Sequence, residues 1–139
     1  VLEQFEALAA RCDVVKLSDE DALWLYPHEA LEGVITRLLA LGVQFAIITR
    51  AGDGLLLASR QASVGVPAAS ITVADTIGSG DSAMGAIIDG VLREGLGELP
   101  APTLHRIGGW AATVAGVTTS RPGANPPWRR ELAGDTSGV

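Results

Sequence analysis

Seven residues of this chain combine groups that could do chemistry together: Asp75-Thr76-Ile77-Gly78-Ser79-Gly80-Asp81. Glycines two apart permit backbone angles closed to other residues and let the main chain come close to a ligand. The sequence after them, with Ala83, Met84, Ile87, Ile88 and Val91 at helical spacing, predicts a helix over about 81–93. The first N–H groups of a helix have no internal acceptors, and the helix dipole adds partial positive charge there. A glycine turn running into a helix start is therefore a cradle for an anion such as phosphate. Asp81 puts a carboxylate on that same turn. An acid there could simply cap the helix, which stabilises by about 1 kcal/mol. Beside a bound phosphate it could instead accept the proton of an attacking hydroxyl. Asp75, the two glycines and the small residues that follow favour the second reading.

The elements that must hold this turn alternate between strand and helix. Val1, Leu2, Phe5, Leu8 and Ala9 share one face of an opening helix, and Asp13–Leu17 reads as a short buried strand. Ser18 is placed as an N-cap, with Asp21 three residues on completing a capping-box pattern before a helix over about 19–25. A second helix is expected over about 28–41, then a continuous apolar strand at Phe45–Thr49. Gly52-Asp53-Gly54 is turn chemistry, and Leu55–Leu57 resumes as a strand in hairpin relation. Val64 with Val66, and Ile71 with Val73, read as two more extended pieces around Pro67. A last long helix is expected over about 102–117, followed by an irregular tail from Ser120. The alternation predicts an α/β sheet with helices on its faces. There is no repeat and no linker, so the chain is one domain or half of one. With no initiator Met, it opens inside an amphipathic helix, which predicts truncation at the N-terminal side.

Composition narrows the functions. Of 139 residues, 47% are hydrophobic and 19% charged, too apolar for a disordered chain. A net charge of −6 with scattered basic residues argues against nucleic-acid binding, and no apolar run is long enough for a membrane span. With no signal-peptide pattern either, a cytoplasmic location is expected. The single cysteine, Cys12, excludes an internal disulfide and reads as a small buried hydrophobe. His28 and His105 have no partners at metal-ligand spacing, and Trp24, Trp110 and Trp128 are too dispersed for a base-stacking platform.

Asp75-Thr76-x-Gly78-x-Gly80-Asp81 resembles the C-terminal signature of the ribokinase family of carbohydrate kinases, the pfkB type, which includes fructokinases and ketodeoxygluconate kinases. Val14–Asp21, Ile47–Gly54 and Ser120–Ala124 resemble other family segments in the expected order. The resemblance implies a three-layer, ribokinase-like fold and transfer of the γ-phosphoryl of ATP to a hydroxyl of a sugar or sugar acid, with fructokinase-type members the nearest in pattern. It implies Asp81 as the base, and the amides of Gly78, Ser79 and Gly80 as stabilisers of the transferring charge. It places Thr49, Gly52 and Gly54 beside the nucleotide. Ser18 and Asp21 stand at the family's Asn-x-x-Glu positions, which arrange Mg2+. Asp75, with main-chain groups of Ile77, Arg121 and Gly123, falls at the monovalent-cation (K+) site that many members possess. Two departures stand out: Ser18 and Asp21 replace Asn and Glu, and Ala51 stands where many members have glycine. Nothing in the chain resembles the family's N-terminal Gly-Gly motif, sugar-binding acid or lid strands. The expected consequences are little or no turnover by the chain alone, weak nucleotide affinity, and self-association through an exposed sheet edge.

Two other readings stay open. A non-catalytic nucleotide-binding module would share the glycine turn without the sugar half. A dinucleotide-binding domain would use Gly78-x-Gly80-x-x-Ala83, but it needs an acid about 20 residues later at a strand end. The nearest acid, Glu98, lies in a stretch broken by Gly95, Gly97 and Pro100.

Overall fold

A computed structural model describes residues 1–132 of the chain. Four strands, β1 (Val14–Ser18), β2 (Phe45–Thr49), β3 (Leu55–Ser59) and β4 (Ser63–Val66), form one sheet in the order β1-β2-β3-β4. β1 runs parallel to β2 with Ser18 beside Thr49, whereas β2–β3 and β3–β4 are antiparallel hairpin pairs. Six helices flank the sheet: α1 (Leu2–Ala9), α2 (Asp19–Leu25), α3 (Leu31–Ala40), α4 (Ser79–Glu94), α5 (Ala101–Thr119) and the single turn α6 (Arg129–Leu132).

Strand side chains alternate between faces, and each face has its own core. Phe45, Ile47, Leu57 and Val66 point toward α4 and α5 with Ile87, Leu104, Ile107 and Ala111. Val15, Leu17, Ala46 and Ile48 point the other way, toward α2 and α3 with Ala22, Val34 and Leu38. The result is three layers, as the alternation of elements predicts. β2 is buried on both faces, which is why its sequence is continuously apolar.

Several sequence expectations are corrected. Ile71–Val73 is not a strand, because α5 rather than another strand lies beside it: the built Cβ of Gly116 on α5 would sit 2.7 Å from Ala69 Cβ. The amides of Ala74 and Asp75 both donate to the Thr119 carbonyl at the end of α5. The apolar face of α1 is largely uncovered, with Val1 76% and Leu8 66% exposed, and only Ala9 is buried. Cys12 is exposed rather than buried, its thiol donating to the Leu8 carbonyl at the C-terminal end of α1. Ile88 on α4 faces solvent. The helix expected over 28–41 starts at Leu31, since Pro27 and the turn after it hold the chain out of helix. The tail carries the short helix α6.

The β2–β3 connection is a tight 3-10 turn at Ala51–Asp53. Ala51 is the single non-glycine with positive φ (44°) among the described residues. A left-handed alanine costs about 1–2 kcal/mol, partly offset by the extra freedom glycine gives the unfolded chain. Ala51→Gly is therefore expected to raise stability by about 0.5–1 kcal/mol, read as an upward shift in the urea midpoint.

Candidate active site

The turn before α4 is built by glycine geometry and hydrogen bonds. Gly78 is the N-cap at φ 76°, ψ 0°, and a Cβ there would lie 2.9 Å from Ala124 Cβ, so conformation and space both require glycine. Behind it, the buried Thr118 hydroxyl donates to Ser82 Oγ at 2.8 Å, and Ser82 Oγ donates to the Gly78 carbonyl at 2.8 Å. This relay from α5 fixes the turn. The sequence reading missed it, because a threonine inside an alanine-rich helix shows no partner in sequence.

Asp75 fixes the other side. Its Oδ1 accepts from the Ile77 amide at 3.0 Å, and its Oδ2 from the Gly123 amide at 2.9 Å. These backbone donors, Ile77 first and Gly123 second, hold its carboxyl below the usual aspartate range. A carboxylate with a depressed folded-state pKa adds stability that is present above its unfolded pKa and is lost as pH falls through the folded one. Asp75→Asn should therefore melt lower than the parent at neutral pH and lose less on acidification from about pH 5 to pH 2, in thermal melts across that range.

Asp75, Ile77 and Gly123 are thus brought together, through the amides of Ile77 and Gly123 rather than their carbonyls. Arg121 is close in sequence, its amide donating to Thr118 and its guanidinium pairing with Glu131. The Gly123 carbonyl is taken by the Asn125 amide at 2.9 Å, while the carbonyls of Ile77 and Arg121 have no acceptor role among the described residues. No group of three or more acidic, His or Cys side chains suited to a metal occurs among the described residues.

Of the three amides expected to face an anion, that of Ser79 is already used, donating to the Thr76 carbonyl at 3.2 Å. Among the described residues nothing accepts from the amides of Gly78, Gly80 or Asp81, and the first internal bond of α4 is Ser82 N to Gly78 O. The Asp81 side chain is exposed and makes no hydrogen bond or ion pair among the described residues. It lines an open cleft with Gly78, Ser82, Gly85, Val114 and Ala124. A free carboxylate and free helix-start amides therefore share one turn. A second depression, lined by Gln44, Ser59, Arg60 and Leu99, lies at the opposite end of β2 and holds none of the expected residues.

Ser18, Asp21 and Thr49 gather at the C-terminal ends of the two parallel strands, where α/β sheets place ligands. Ser18 and Asp21 form a capping box: Ser18 Oγ accepts from the Asp21 amide at 3.0 Å and Asp21 Oδ2 from the Ser18 amide at 3.4 Å. Gly52 and Gly54 occupy the adjoining turn, Gly52 open and Gly54 packed under the chain after β4. Lys16, on the α4-facing side of β1, carries its ammonium 3.4 Å from where a Cβ on Gly80 would stand, which links the strand ends to the helix start. Ala111 and Ala112 are buried packing residues of α5, and Trp110 lies under Arg93 at 5.9 Å. His28 and His105 are exposed. After α4 the next element is another helix, so Glu98 is not at a strand end and the dinucleotide pattern is incomplete in the described chain.

A model of the pfkB family of carbohydrate kinases matches residues 1–130. The chain belongs to that family. A fructokinase of Rhizobium leguminosarum bv. trifolii is 31% identical over 58% of the chain and 25% of its own length. A Pyrococcus horikoshii protein provisionally named a sugar kinase is 32% identical over 95% of the chain and 38% of its own length. The chain thus spans between a quarter and two fifths of these two relatives. The crystal structure of aminoimidazole riboside kinase from Salmonella enterica, complexed with aminoimidazole riboside and an ATP analog, superposes with a TM-score of 0.82. At 23% identity, covering 95% of this chain and 44% of that one, it shows a shared ribokinase-like fold. The glycine turn at Gly78–Asp81 lies within the matched residues, and its carboxylate is in the open. Among the described residues no helix is long and apolar enough to cross a membrane.

Proposed function

We propose that this chain supplies the nucleotide-side, phosphoryl-transfer part of an ATP-dependent sugar kinase acting in the cytoplasm, with a fructokinase-like acceptor preferred. One observation carries the proposal: the free amides of Gly80 and Asp81 and the free carboxylate of Asp81 lie on a single helical turn. In that geometry the amides hold the transferring phosphoryl, and the carboxylate reaches the hydroxyl that receives it. As the sugar oxygen bonds to phosphorus, its proton passes to Asp81, and the bond from phosphorus to the departing ADP oxygen breaks.

Ser18 and Asp21 would arrange Mg2+ and its waters through outward-facing lone pairs, since their capping bonds use only one each. When bound, that ion neutralises charge on the phosphates. Asp75, with the carbonyls of Ile77 and Arg121, would border K+, and Gly123 contributes its amide to hold Asp75 in place. Thr49, Gly52 and Gly54 form the wall on the nucleotide side.

A second reading is a nucleotide-binding module without turnover. Among the described residues β1 and β4 each pair on one side only, which supports self-association through an open edge. Calorimetric titration with ATP and Mg2+, run beside sugar-dependent ADP release and sedimentation, separates these readings. ATP binding with sugar-dependent turnover supports the kinase, and binding without turnover supports the module. Preference for NAD over ATP would refute both.

A further inference from the structure

The chain after Gly123 is held firmly at its far end and left almost unbonded before it. From Ala124 to Pro127 the single backbone bond among the described residues runs from the Asn125 amide to the Gly123 carbonyl, at 2.9 Å. Pro126 and Pro127 have no amide hydrogen to give, and their rings fix φ, so this stretch is a stiff rod that cannot tie itself down. Yet it stands against the candidate site. Ala124 packs on Gly78, and Pro126 and Pro127 line the cleft that Asp81 shares.

The turn that follows holds the rod in place. Arg129 on α6 donates to Asp89 Oδ1 on α4 at 2.7 Å, and Asp89 Oδ2 lies 2.8 Å from Arg93. Glu131 accepts from Arg121 at 2.6 Å through Oε1 and from the Trp128 amide at 2.5 Å through Oε2. Leu132 packs against the core on the α4 and α5 side of the sheet. Asp89 is the anchor on α4 itself: its Oδ2 is shut off from solvent, and Arg129 first, then Arg93, hold its carboxyl below the usual aspartate range. It stands eight residues after Asp81, about 12 Å along the helix, too far to touch reacting groups there. Its path to the cleft runs through Arg129, which follows Pro127 by two residues.

Resting on the kinase reading above, we propose that Asp89 is a positioning residue: by holding Arg129 it fixes Pro126 and Pro127 as a wall of the Asp81 cleft, and so sets the opening through which the acceptor hydroxyl reaches that carboxylate. Ala86, Val114 and the two prolines make this side of the cleft apolar. The wall therefore selects by size, offering the acceptor no hydrogen bond.

Amide signals of the isotope-labelled chain read the cleft directly. Asp89→Asn, Arg129→Gln and the double variant are compared at Gly78, Asp81, Gly85 and Ala124. Both single variants are expected to move the same cleft signals in the same direction, the double variant to move them no further, and Asp89→Glu to stay near the parent. Arg129 lies outside α4, so a shift of the glycine turn on Arg129→Gln cannot be a local change in that helix. The Arg129 side chain is largely exposed, so this variant decides the matter should Asp89→Asn fail to fold. In a form of the protein that shows turnover, either single variant should raise the acceptor KM about two- to five-fold, with kcat and the ATP KM unchanged. Shifts confined to the neighbours of residues 89 and 129 would refute the positioning role, whatever the kinetics. If the cleft signals move but the ATP KM changes in place of the acceptor KM, the wall serves the nucleotide and the acceptor opening is refuted. If the cleft signals move together while no sugar supports turnover in any form, the kinase reading falls and the placement of the wall by Asp89 stands.

Discussion

Replacing Asp81 by asparagine is expected to lower sugar-dependent ADP release by about a hundred- to ten-thousand-fold, the span over which a positioned general base acts. ATP affinity should change little. Asparagine matches the shape of aspartate and can still accept a hydrogen bond at its Oδ1, but it cannot take the proton of the attacking hydroxyl at neutral pH. The free amides that hold the phosphates are main-chain groups, and the substitution leaves them in place. The side chain is exposed and unbonded, so the fold loses at most its charge at the helix start, worth about 0.3–1 kcal/mol. The measurement is paired kinetics and calorimetry on a form of the protein that shows turnover. A kcat within a few-fold of the parent would mean that Asp81 only favours the helix start electrostatically. A large loss of ATP affinity would place its role in nucleotide binding.

The second large effect is on stability. Gly54→Ala should destabilise the chain by about 3 kcal/mol or more, enough to unfold a marginal domain. Gly54 has φ 86°, ψ −140°, a region closed to alanine, and strain of that kind costs about 1–3 kcal/mol by itself. A Cβ there would also sit 2.0 Å from the Val66 carbonyl oxygen and 2.7 Å from the Ala68 nitrogen. Both neighbours are backbone at the end of β4, so relief requires moving the strand end or opening the β2–β3 turn. Chemical denaturation measures the loss. An alanine variant with the parent's midpoint would show that this turn rearranges freely, and a nucleotide wall at Thr49–Gly54 would then have no rigid basis.

How much of this was legible in the sequence depends on whether a feature is local. The Gly78–Asp81 turn was readable because left-handed glycines, a helix start and an acid are all specified within a few residues. The β2 strand was equally plain, because burial on both faces leaves a continuous apolar run. Periodicity names a face, however, and not what covers it. Ile71–Val73 has β-forming side chains, yet α5 occupies the place where a partner strand would have to be, and tertiary context overrides propensity. Cys12 reads as buried for the same reason, and the described chain offers little to cover it or the apolar face of α1 beside it. The Thr118–Ser82 relay joins residues 36 apart. The approach of Lys16 to Gly80 joins residues still farther apart, and only the fold brings either pair together. The capping box at Ser18 and Asp21 was visible in sequence, while their place beside Thr49 required the parallel pairing of β1 with β2.

The pairing scheme also has a kinetic consequence. Strands β2, β3 and β4 follow one another through short turns and form a local meander, whereas β1 reaches β2 only across the long α2–α3 crossover. Loop-closure entropy penalises that contact most, so β1 should dock late in folding and open early in native-state fluctuations. Amide hydrogen exchange should find the β1–β2 ladder less protected than the β2–β3 ladder. Lys16, Ser18 and Asp21 travel with β1, so the two halves of the cradle would separate and rejoin whenever that outermost strand does.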